Sequence, residues 1–492
     1  MVIGMNILVI DIGTSSMRGI LYRKDGKKLY VKQVKYQPTY YADGGVEQDP
    51  HDFEKALVSI ADTYAKGLEV DGAEIGAVVI TSQRSSIIPL DKDGKPVHSA
   101  IMWQDTRNKE ICKMLEVENK RIIELSGAKV NCVFSGGKMS WFKSEYPEKY
   151  KKTSRFVNIP EYLIHLMTGK YVTDYTYGSR SNLMNIRTCQ WDEDLLDLFG
   201  IDKEQLCELH MPGEICGYIQ KGFASLTGIK EGIPVISAGG DQQCGAVGHG
   251  VFKSGSCSVT TGTGAYLIAT VDSVPEYLSE DIICNYSAVK EKYILECSVL
   301  TCCSAFDWYI RNFYDWKKPD YDAINFALSK KYSRKSSCMV LPYFQGRGTP
   351  DWNATANATF HKINLGHDRE DILKALLEGI FVEIDNNMDN LRKYVDIIQA
   401  SISGGLANSR IMNQMQADVY GIPLSRLKDT EATANGAFMI GAVSMGLCES
   451  LDKAFEQILQ YTEKENYSVN MEMHRNYIEL KKEMKQLYKK LY

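Results

Sequence analysis

One short segment near the start of the chain joins an acidic side chain to a turn of small residues, Asp11-Ile-Gly-Thr-Ser-Ser16. Such a turn exposes successive backbone N–H groups, and the neighbouring hydroxyls can add hydrogen bonds to phosphate oxygens. At the end of an apolar strand, Asp11 could hold Mg²⁺ through water. The segment is neither a Walker A loop, which needs GK[ST], nor a GxGxxG turn before a helix. A plain hairpin is therefore the alternative interpretation.

A second acidic segment, Gly239-Gly-Asp-Gln-Gln243, follows the apolar run Val235–Ala238. In α/β proteins, a side chain just past the carboxyl end of a strand faces the crevice where ligands bind. There, Asp241 could remove a proton from a substrate hydroxyl as a general base. Taken alone, the aspartate could equally serve as a turn or helix-cap residue.

Two glycine-rich segments lie in the second half of the chain. Thr260-Thr-Gly-Thr-Gly264 is a second candidate phosphate cradle. Ser403-Gly-Gly-Leu-Ala-Asn-Ser409 follows a predicted strand and precedes a predicted helix over 410–420. The glycine pair would let an adenine or a ribose approach the backbone, and the helix would supply N-terminal donors.

Strands and helices alternate around these segments, which indicates an α/β fold. Residues 6–10 and 17–22 read as strands on either side of the first turn, and residues 256–261 and 265–271 repeat that arrangement. The repeat predicts a duplicated architecture with a cleft between the copies, although turns of this kind also arise by chance.

A domain boundary near residue 250 follows, which gives predicted domains 1–250 and 251–492. The polar, helical end of the chain carries a narrow apolar stripe that includes Leu480, Met484 and Leu491. It could pack on its own domain, which we favour, or on a partner, so a homodimer is kept as an option for the assembly.

Composition excludes several classes of protein. The chain has 492 residues, 44% of them apolar, and its 57 basic and 62 acidic residues nearly balance. This balance argues against a nucleic-acid binder, and no apolar run is long enough to span a membrane. The N-terminal apolar run has no basic start and ends in Asp11, so we read it as a strand rather than a signal peptide and expect a cytoplasmic protein.

The cysteines also favour a reducing compartment. Their number, 13, is odd, Cys302 and Cys303 are adjacent, and no CxxC pair occurs. Disulfide frameworks and zinc sites need paired spacing, so we expect reduced, mostly buried thiols.

Taken together and in this order, the four segments resemble the FGGY family of carbohydrate kinases, which lies within the actin and hexokinase-like ATPase superfamily. The resemblance runs from about Ile7 to Leu447. Four further segments match the family: Trp103–Arg107, Tyr162–Gly169, Met415–Gly421 and Glu431–Ala437.

The resemblance implies two ribonuclease H-like (actin-like ATPase) domains with ATP and sugar in the interdomain cleft. It gives Asp241 the role of catalytic base and places Asp11 and Asp241 near Mg²⁺. The residues implied around the nucleotide and its phosphates are Thr14, Ser15, Ser16, Arg18, Gly262, Thr263, Gly405 and Ser409. Those implied for the sugar are Gln83, Arg84, Trp103, Asp105 and Gln242, beside Asp241.

Three departures from the family pattern are present; the first bears on the nucleotide contacts, and the other two bear on the substrate. Residues 301–307, Thr-Cys-Cys-Ser-Ala-Phe-Asp, replace a segment that usually offers a glycine near the nucleotide. In the glycerol kinases of the family, a glutamate stands at the position of Ser85 and a tyrosine at that of Val133. The methionine–histidine pair of the xylulose kinases is also absent. We therefore expect a ketose or polyol of four to six carbons, with a pentulose first and glycerol a poor substrate.

Two other classes of function remain as alternatives beside a glycerol or other polyol kinase. A non-catalytic sugar sensor could keep the fold, but loss of the base would be expected, and Asp241 is present. A chaperone-type ATPase of the superfamily would not need the small-molecule pocket that the segments at Gln83 and Trp103 imply. ADP release that depends on a sugar would separate both from a kinase.

Overall fold

A computed structural model describes residues 6–66, 74–315, 317–349 and 351–492. The chain divides into two units, each built from several segments. Unit 1 contains residues 1–252, 272–294 and 429–462, and unit 2 contains 253–271, 295–428 and 463–492. The chain first passes from unit 1 to unit 2 after residue 252, close to the boundary predicted near residue 250. Residues 272–294 and 429–462 belong to unit 1 again, and no local feature of the sequence marks this.

The strands of the described chain are β1 (Asn6–Ile12), β2 (Ser16–Tyr22), β3 (Lys28–Lys35), β4 (Thr39–Tyr40), β5 (Val46–Gln48), β6 (Ile75–Ser82), β7 (Ile87–Leu90), β8 (Ala100–Ile101), β9 (Arg155–Asn158), β10 (Val172–Asp174), β11 (Met184–Asn185), β12 (Gln190–Trp191), β13 (Glu208–His210), β14 (Ile215–Tyr218), β15 (Pro234–Gly240), β16 (Ser256–Thr261), β17 (Ala265–Val271), β18 (Ile283–Tyr286), β19 (Tyr293–Val299), β20 (Met339–Leu341), β21 (Thr359–His361), β22 (Gln399–Gly404), β23 (Leu424–Leu427) and β24 (Lys464–Tyr467).

The helices are α1 (Pro50–Lys66), α2 (Lys109–Leu115), α3 (Asn119–Ser126), α4 (Ser135–Glu145), α5 (Pro147–Tyr150), α6 (Ile159–Thr168), α7 (Tyr175–Gly178), α8 (Glu193–Phe199), α9 (Lys221–Thr227), α10 (Asp241–Gly248), α11 (Cys303–Phe313), α12 (Tyr321–Lys331), α13 (Arg369–Arg392), α14 (Arg410–Tyr420), α15 (Ala432–Ser444), α16 (Leu451–Leu459) and α17 (Met471–Leu491). Among the described residues, no helix has both the length and the apolar character needed to cross a bilayer.

The central sheet of unit 1 has the order β14-β15-β6-β1-β2-β3, in which β15, β6 and β1 run parallel. All seven residues of β1 are buried, as expected for a strand covered on both faces. Leu8 and Ile10 join the core cluster that includes α1 and α6, whereas Ile7 and Val9 join the cluster that includes α10 and α15. This alternation places one pair of helices on each face of the sheet.

Unit 2 is built on the order β19-β17-β16-β22-β23-β24, with β16 parallel to β22 and β22 parallel to β23. β19 begins in unit 1 and ends in unit 2. The second predicted hairpin is confirmed, since β16 and β17 pair antiparallel around the turn at residues 262–264. The polar tail forms α17, which packs on α14 and β20 of its own unit through buried residues that include Tyr477, Leu480 and Met484. Leu491 is exposed.

The thirteen cysteines are all free thiols, and eleven of them are buried. The prediction of mostly buried cysteines is therefore confirmed. None of the described side chains forms a cluster of three or more cysteine, histidine or carboxylate groups that could hold a metal ion.

Two glycines allow α10 and α15 to meet backbone to backbone within unit 1. A Cβ atom on Gly436 would overlap the carbonyl oxygen of Cys244, and one on Gly248 would overlap that of Ala432. Neither obstacle is a flexible side chain, so the helices would have to separate to admit a larger residue.

Gly436→Ala should therefore lower the free energy of unfolding by about 3 kcal/mol, because overpacking against a backbone atom cannot be relieved by a rotamer change. The matched control is Gly222→Ala in α9, where an added Cβ would meet no atom within 4 Å. Thermal unfolding of both variants checks the difference. Equal midpoints would show that the glycine contact between α10 and α15 is not needed.

Candidate functional site

Three parallel strands of unit 1 end at the same edge of the central sheet, and each brings a predicted site residue there. Asp11 lies at the end of β1, Gln83 and Arg84 follow β6, and Asp241 follows β15. In the register of the sheet, Asp11 pairs with Thr81 and Gly240 with Ser82. The residues stand at a common edge because the carboxyl ends of parallel strands meet there.

Asp241 is the first residue of α10, and its side chain is 29% exposed. One of its carboxylate oxygens accepts the N–H of Gln242 at 2.7 Å and lies 3.8 Å from Nε of Arg84. Gly240 makes this approach possible, since a Cβ atom there would stand 2.5 Å from Cδ of Arg84. A partly exposed carboxylate in this position can accept a proton from a bound hydroxyl.

Arg18 links two carboxylates that are far apart in the sequence. Its guanidinium lies 2.6 Å from Oδ2 of Asp11 and 2.8 Å from Oε2 of Glu431. The carboxyl of Asp11 is almost fully buried, and burial raises its pKa to about 6. Arg18 opposes this rise, whereas the charges of Asp241 and Glu431 add to it.

The carboxylates of this edge suit a magnesium ion. The pKa of Asp11 is raised because its negative charge is buried near those of Asp241 and Glu431, and a bound cation would offset that cost. Mg²⁺ is commonly bound through one or two carboxylates, with waters and substrate phosphates completing the shell. Asp11 and Asp241 therefore fit the role predicted for them, with one oxygen of Asp11 already engaged by Arg18.

The first glycine turn is held by side chains from neighbouring segments. The carbonyl oxygen of Gly13 accepts the hydroxyl of Tyr36 at 2.8 Å and the amide Nε2 of Gln83 at 3.3 Å. The indole N–H of Trp103 donates to the hydroxyl of Thr14 at 3.0 Å. These bonds fix the carbonyl side of the turn, and they tie two residues predicted for the sugar, Gln83 and Trp103, to the predicted phosphate cradle.

The remaining hydroxyls of the turn differ in their surroundings. Ser15 is exposed, and the hydroxyl of Ser16 accepts Nε2 of Gln33 at 2.9 Å. Gln242, predicted for the sugar, is also exposed and is next to Asp241 in α10.

Asp105 is placed differently from the other predicted sugar ligands. It is 1% exposed, and its Oδ2 accepts the N–H of Val46 at 2.8 Å and Nη2 of Arg107 at 2.6 Å. Arg107 also bonds Glu47 at 2.8 Å. Because its carboxylate already has these donors, Asp105 fixes the loop that carries Trp103.

The surroundings of Ser85 include two charged residues, Arg180 and Lys138, that the sequence does not single out. Ser85 has a left-handed backbone (φ 71°), and its hydroxyl donates to the carbonyl of Arg180 at 3.3 Å. The guanidinium of Arg180 lies 4.5 Å above the ring of Phe134. The amine of Lys138 donates to the carbonyl of Val133 at 3.0 Å, and burial lowers its pKa to about 8. Arg180, Lys138 and Glu431 are the charged residues that sequence reasoning missed, although Glu431 opens one of the matched segments.

In unit 2, the turn at residues 262–264 is tied to the start of α11. The carbonyl of Gly262 accepts the N–H of Cys303 at 2.9 Å, and that of Thr263 accepts the N–H of Cys302 at 2.8 Å. Gly264 leaves no room for a Cβ atom against the carbonyl of Val299. The divergent cysteine segment thus holds the turn in place through its backbone.

The second glycine segment meets the same turn. The N–H of Gly405 donates to the carbonyl of Thr261 at 2.8 Å, so the segments of Thr263 and Gly405 are neighbours. Ser409 caps α14 by accepting the N–H of Met412, and it donates to Oδ1 of Asn325 at 2.7 Å. Ser409 therefore has a structural role at the start of α14.

Comparison with known proteins was made for the whole chain. The chain is 30% identical over 456 residues to a glycerol kinase of Thermococcus onnurineus (strain NA1), with 91% of this chain and 90% of the relative covered. The structure of Plasmodium falciparum glycerol kinase with ADP matches with a TM-score of 0.89 and 25% identity, covering 99% of this chain and 98% of that one. A ligand-bound xylulose kinase from Lactobacillus acidophilus matches with a TM-score of 0.89 and the same coverages, at 24% identity.

These likenesses confirm the predicted α/β fold of two actin-like ATPase domains. The family models for the N-terminal and the C-terminal domain of FGGY carbohydrate kinases match residues 6–248 and 257–445. The two models together match most of the chain, and the acidic residues of the central strands lie in the order described above. The chain therefore belongs to the FGGY family of carbohydrate kinases.

Proposed function

We propose that this kinase transfers the γ-phosphoryl group of ATP to a hydroxyl of a ketose of four to six carbons, with a pentulose such as xylulose as the first candidate. The observation that carries the proposal is Asp241, a partly exposed carboxylate at the carboxyl end of β15 beside Arg84. The proposal includes a cytoplasmic location, where ATP is available.

In the proposed reaction, the oxygen of the acceptor hydroxyl attacks the γ-phosphorus of ATP, and Asp241 accepts the proton of that hydroxyl. The bond between the γ-phosphorus and the β-phosphate oxygen breaks, and ADP leaves. Arg84, with its Nε 3.8 Å from Oδ1, would hold the carboxylate of Asp241 in position. Bound Mg²⁺, held by Asp11 and Asp241, would neutralise charge on the phosphate oxygens. The N–H groups and hydroxyls of Thr14, Ser15 and Ser16 would orient the phosphates, together with Arg18.

In this proposal each predicted domain binds one of the two substrates. Residues 1–250 would bind the acceptor through Gln83, Arg84, Trp103 and Gln242, with Asp105 acting on the loop of Trp103. Residues 251–492 would bind the nucleotide through the turn of Gly262 and Thr263 and the segment from Gly405 to Ser409.

Glycerol is the alternative acceptor, because the Thermococcus onnurineus relative is named a glycerol kinase. Two residues argue against glycerol for this chain. Ser85 and Val133 lack the carboxylate and phenol that the glycerol kinases carry at the matching positions, so a three-carbon polyol would lose two polar contacts.

ADP release from ATP, measured with and without a panel of sugars and polyols, tests the proposal. We expect release that depends on the acceptor. Release that no acceptor accelerates would indicate an ATPase of another kind, and no release would indicate a sugar sensor with the same fold.

Asp241→Asn keeps the shape of the side chain but removes the proton acceptor. Its kcat should fall by ~10²–10⁴-fold, the usual contribution of a general base. ATP affinity, measured by equilibrium binding, is the control and should be nearly unchanged because the glycine turns are untouched. A variant that kept more than about a tenth of the wild-type rate, with chemistry rate-limiting, would contradict the assignment.

Thr263→Leu adds an apolar branch to the turn of unit 2, where Gly262 leaves open space. ATP affinity should fall by about tenfold or more, while acceptor affinity should change little, because only the nucleotide would meet the added bulk. Thr263→Ser, which keeps the hydroxyl, is the matched control. Equal loss of both affinities in a folded protein would argue against a nucleotide contact at this turn.

Acceptor selectivity should favour ketoses over glycerol, since each missing polar contact costs about 1–3 kcal/mol. The measurement is kcat/KM for glycerol, erythritol, xylulose, ribulose and a hexulose. Ser85→Glu should raise kcat/KM for glycerol, whereas Ser85→Gln, which has the same shape and no charge, should not. If glycerol were the best substrate of the wild-type protein, the interpretation of Ser85 and Val133 would be wrong.

A further inference from the structure

Unit 2 contains a cavity of about 310 Å³ that shares no residue with the proposed nucleotide segments. It lies between the tail helix α17, the segment 334–339 and α13. Its volume is at the lower end of the range for small-molecule sites, so it suits a ligand of a few carbons rather than a nucleotide.

The floor of the cavity carries two buried polar side chains. Glu378 and Tyr477 are 2% and 3% exposed. Oε1 of Glu378 accepts the amine of Lys374 at 2.6 Å. The hydroxyl of Tyr477 and the carboxylate of Glu378 interact with each other, and among the described residues neither Oε2 of Glu378 nor this hydroxyl has another hydrogen-bond partner. Each oxygen keeps a lone pair beyond that mutual contact, so together they can accept the hydroxyl groups of a ligand.

The walls and the rim differ in character. Met339, Met473 and Leu480 supply apolar walls. At the rim, Lys335 pairs with Glu479 at 2.6 Å and Lys362 with Glu483 at 3.0 Å. Arg334 is exposed, and within the described part of the chain no carboxylate lies at ion-pair distance from it.

We propose that this cavity binds a small phosphorylated sugar or polyol. The hydroxyl groups of the ligand would bond Glu378 and Tyr477, its carbon chain would pack on the methionine walls, and its phosphate would bond Arg334. A planar guanidinium binds phosphate through two parallel hydrogen bonds, which accounts for an arginine at the rim. Such compounds are the chemical class of the proposed product, so occupancy of the cavity would report product concentration to the kinase.

Binding to the full chain can be measured by calorimetry with sn-glycerol 3-phosphate and xylulose 5-phosphate, and located by hydrogen exchange. Glycerol, xylulose and inorganic phosphate are the comparison probes. We expect the esters to slow exchange in peptides that cover 334–339 and 471–484, and to bind more tightly than any comparison probe. Because the readout is binding, it is independent of whether the chain phosphorylates a ketose.

Two variants separate the groups of the site. Arg334→Gln should weaken the exchange protection and the affinity about tenfold, the effect of losing one charge-assisted contact. Tyr477→Phe should weaken both by a smaller factor. Arg475→Gln, an exposed arginine of α17 outside the cavity, is the matched control and should change neither.

Four results would overturn the inference. The first is absence of protection in both segments. The second is equal affinity of Arg334→Gln and Arg475→Gln for the esters. The third is inorganic phosphate binding as tightly as the esters, since this would leave the hydroxyl groups of the ligand without a role. A Tyr477→Phe variant with full affinity would likewise remove the floor from the site.

Discussion

Two helices of unit 1 touch backbone to backbone, and the charged groups of the candidate site depend on that contact. α10 begins with Asp241, and Glu431 immediately precedes α15. The helices can approach this closely because Gly248 and Gly436 present no side chain at their crossing. The hydroxyl of Thr433 also bonds the carbonyl of Asp241 at 3.4 Å. The contact thus sets the positions of Asp241 at the start of one helix and of Glu431 just before the other.

This geometry concentrates negative charge at one edge of a sheet. Asp11, Asp241 and Glu431 are near enough for the latter two to raise the pKa of Asp11, while Arg18 bonds both Asp11 and Glu431. Holding several carboxylates near one another is costly without a cation. Arg18 supplies one positive charge here, and the proposed Mg²⁺ would supply more.

Local patterns in the sequence were enough to predict the elements at the site but not the contacts between them. The turn between β16 and β17 and the helix over residues 410–420 were predicted to the residue, since each is marked by a change from apolar to small residues. The bond from Arg18 to Glu431 spans 413 positions and has no local sign. Asp105 matched a sugar-binding motif, but its neighbour Arg107 occupies its carboxylate. Pairings of this kind follow from tertiary packing rather than from spacing.

The central claim is that the edge formed by β1, β6 and β15 directs a phosphoryl group to a carbohydrate hydroxyl rather than to water. Phosphorus NMR of a reaction with ATP, Mg²⁺ and xylulose or ribulose tests it directly, because a phosphate ester and inorganic phosphate give separate signals. We expect an ester signal that grows in step with ADP, with little inorganic phosphate formed. Inorganic phosphate as the sole product across the whole panel of acceptors would contradict it.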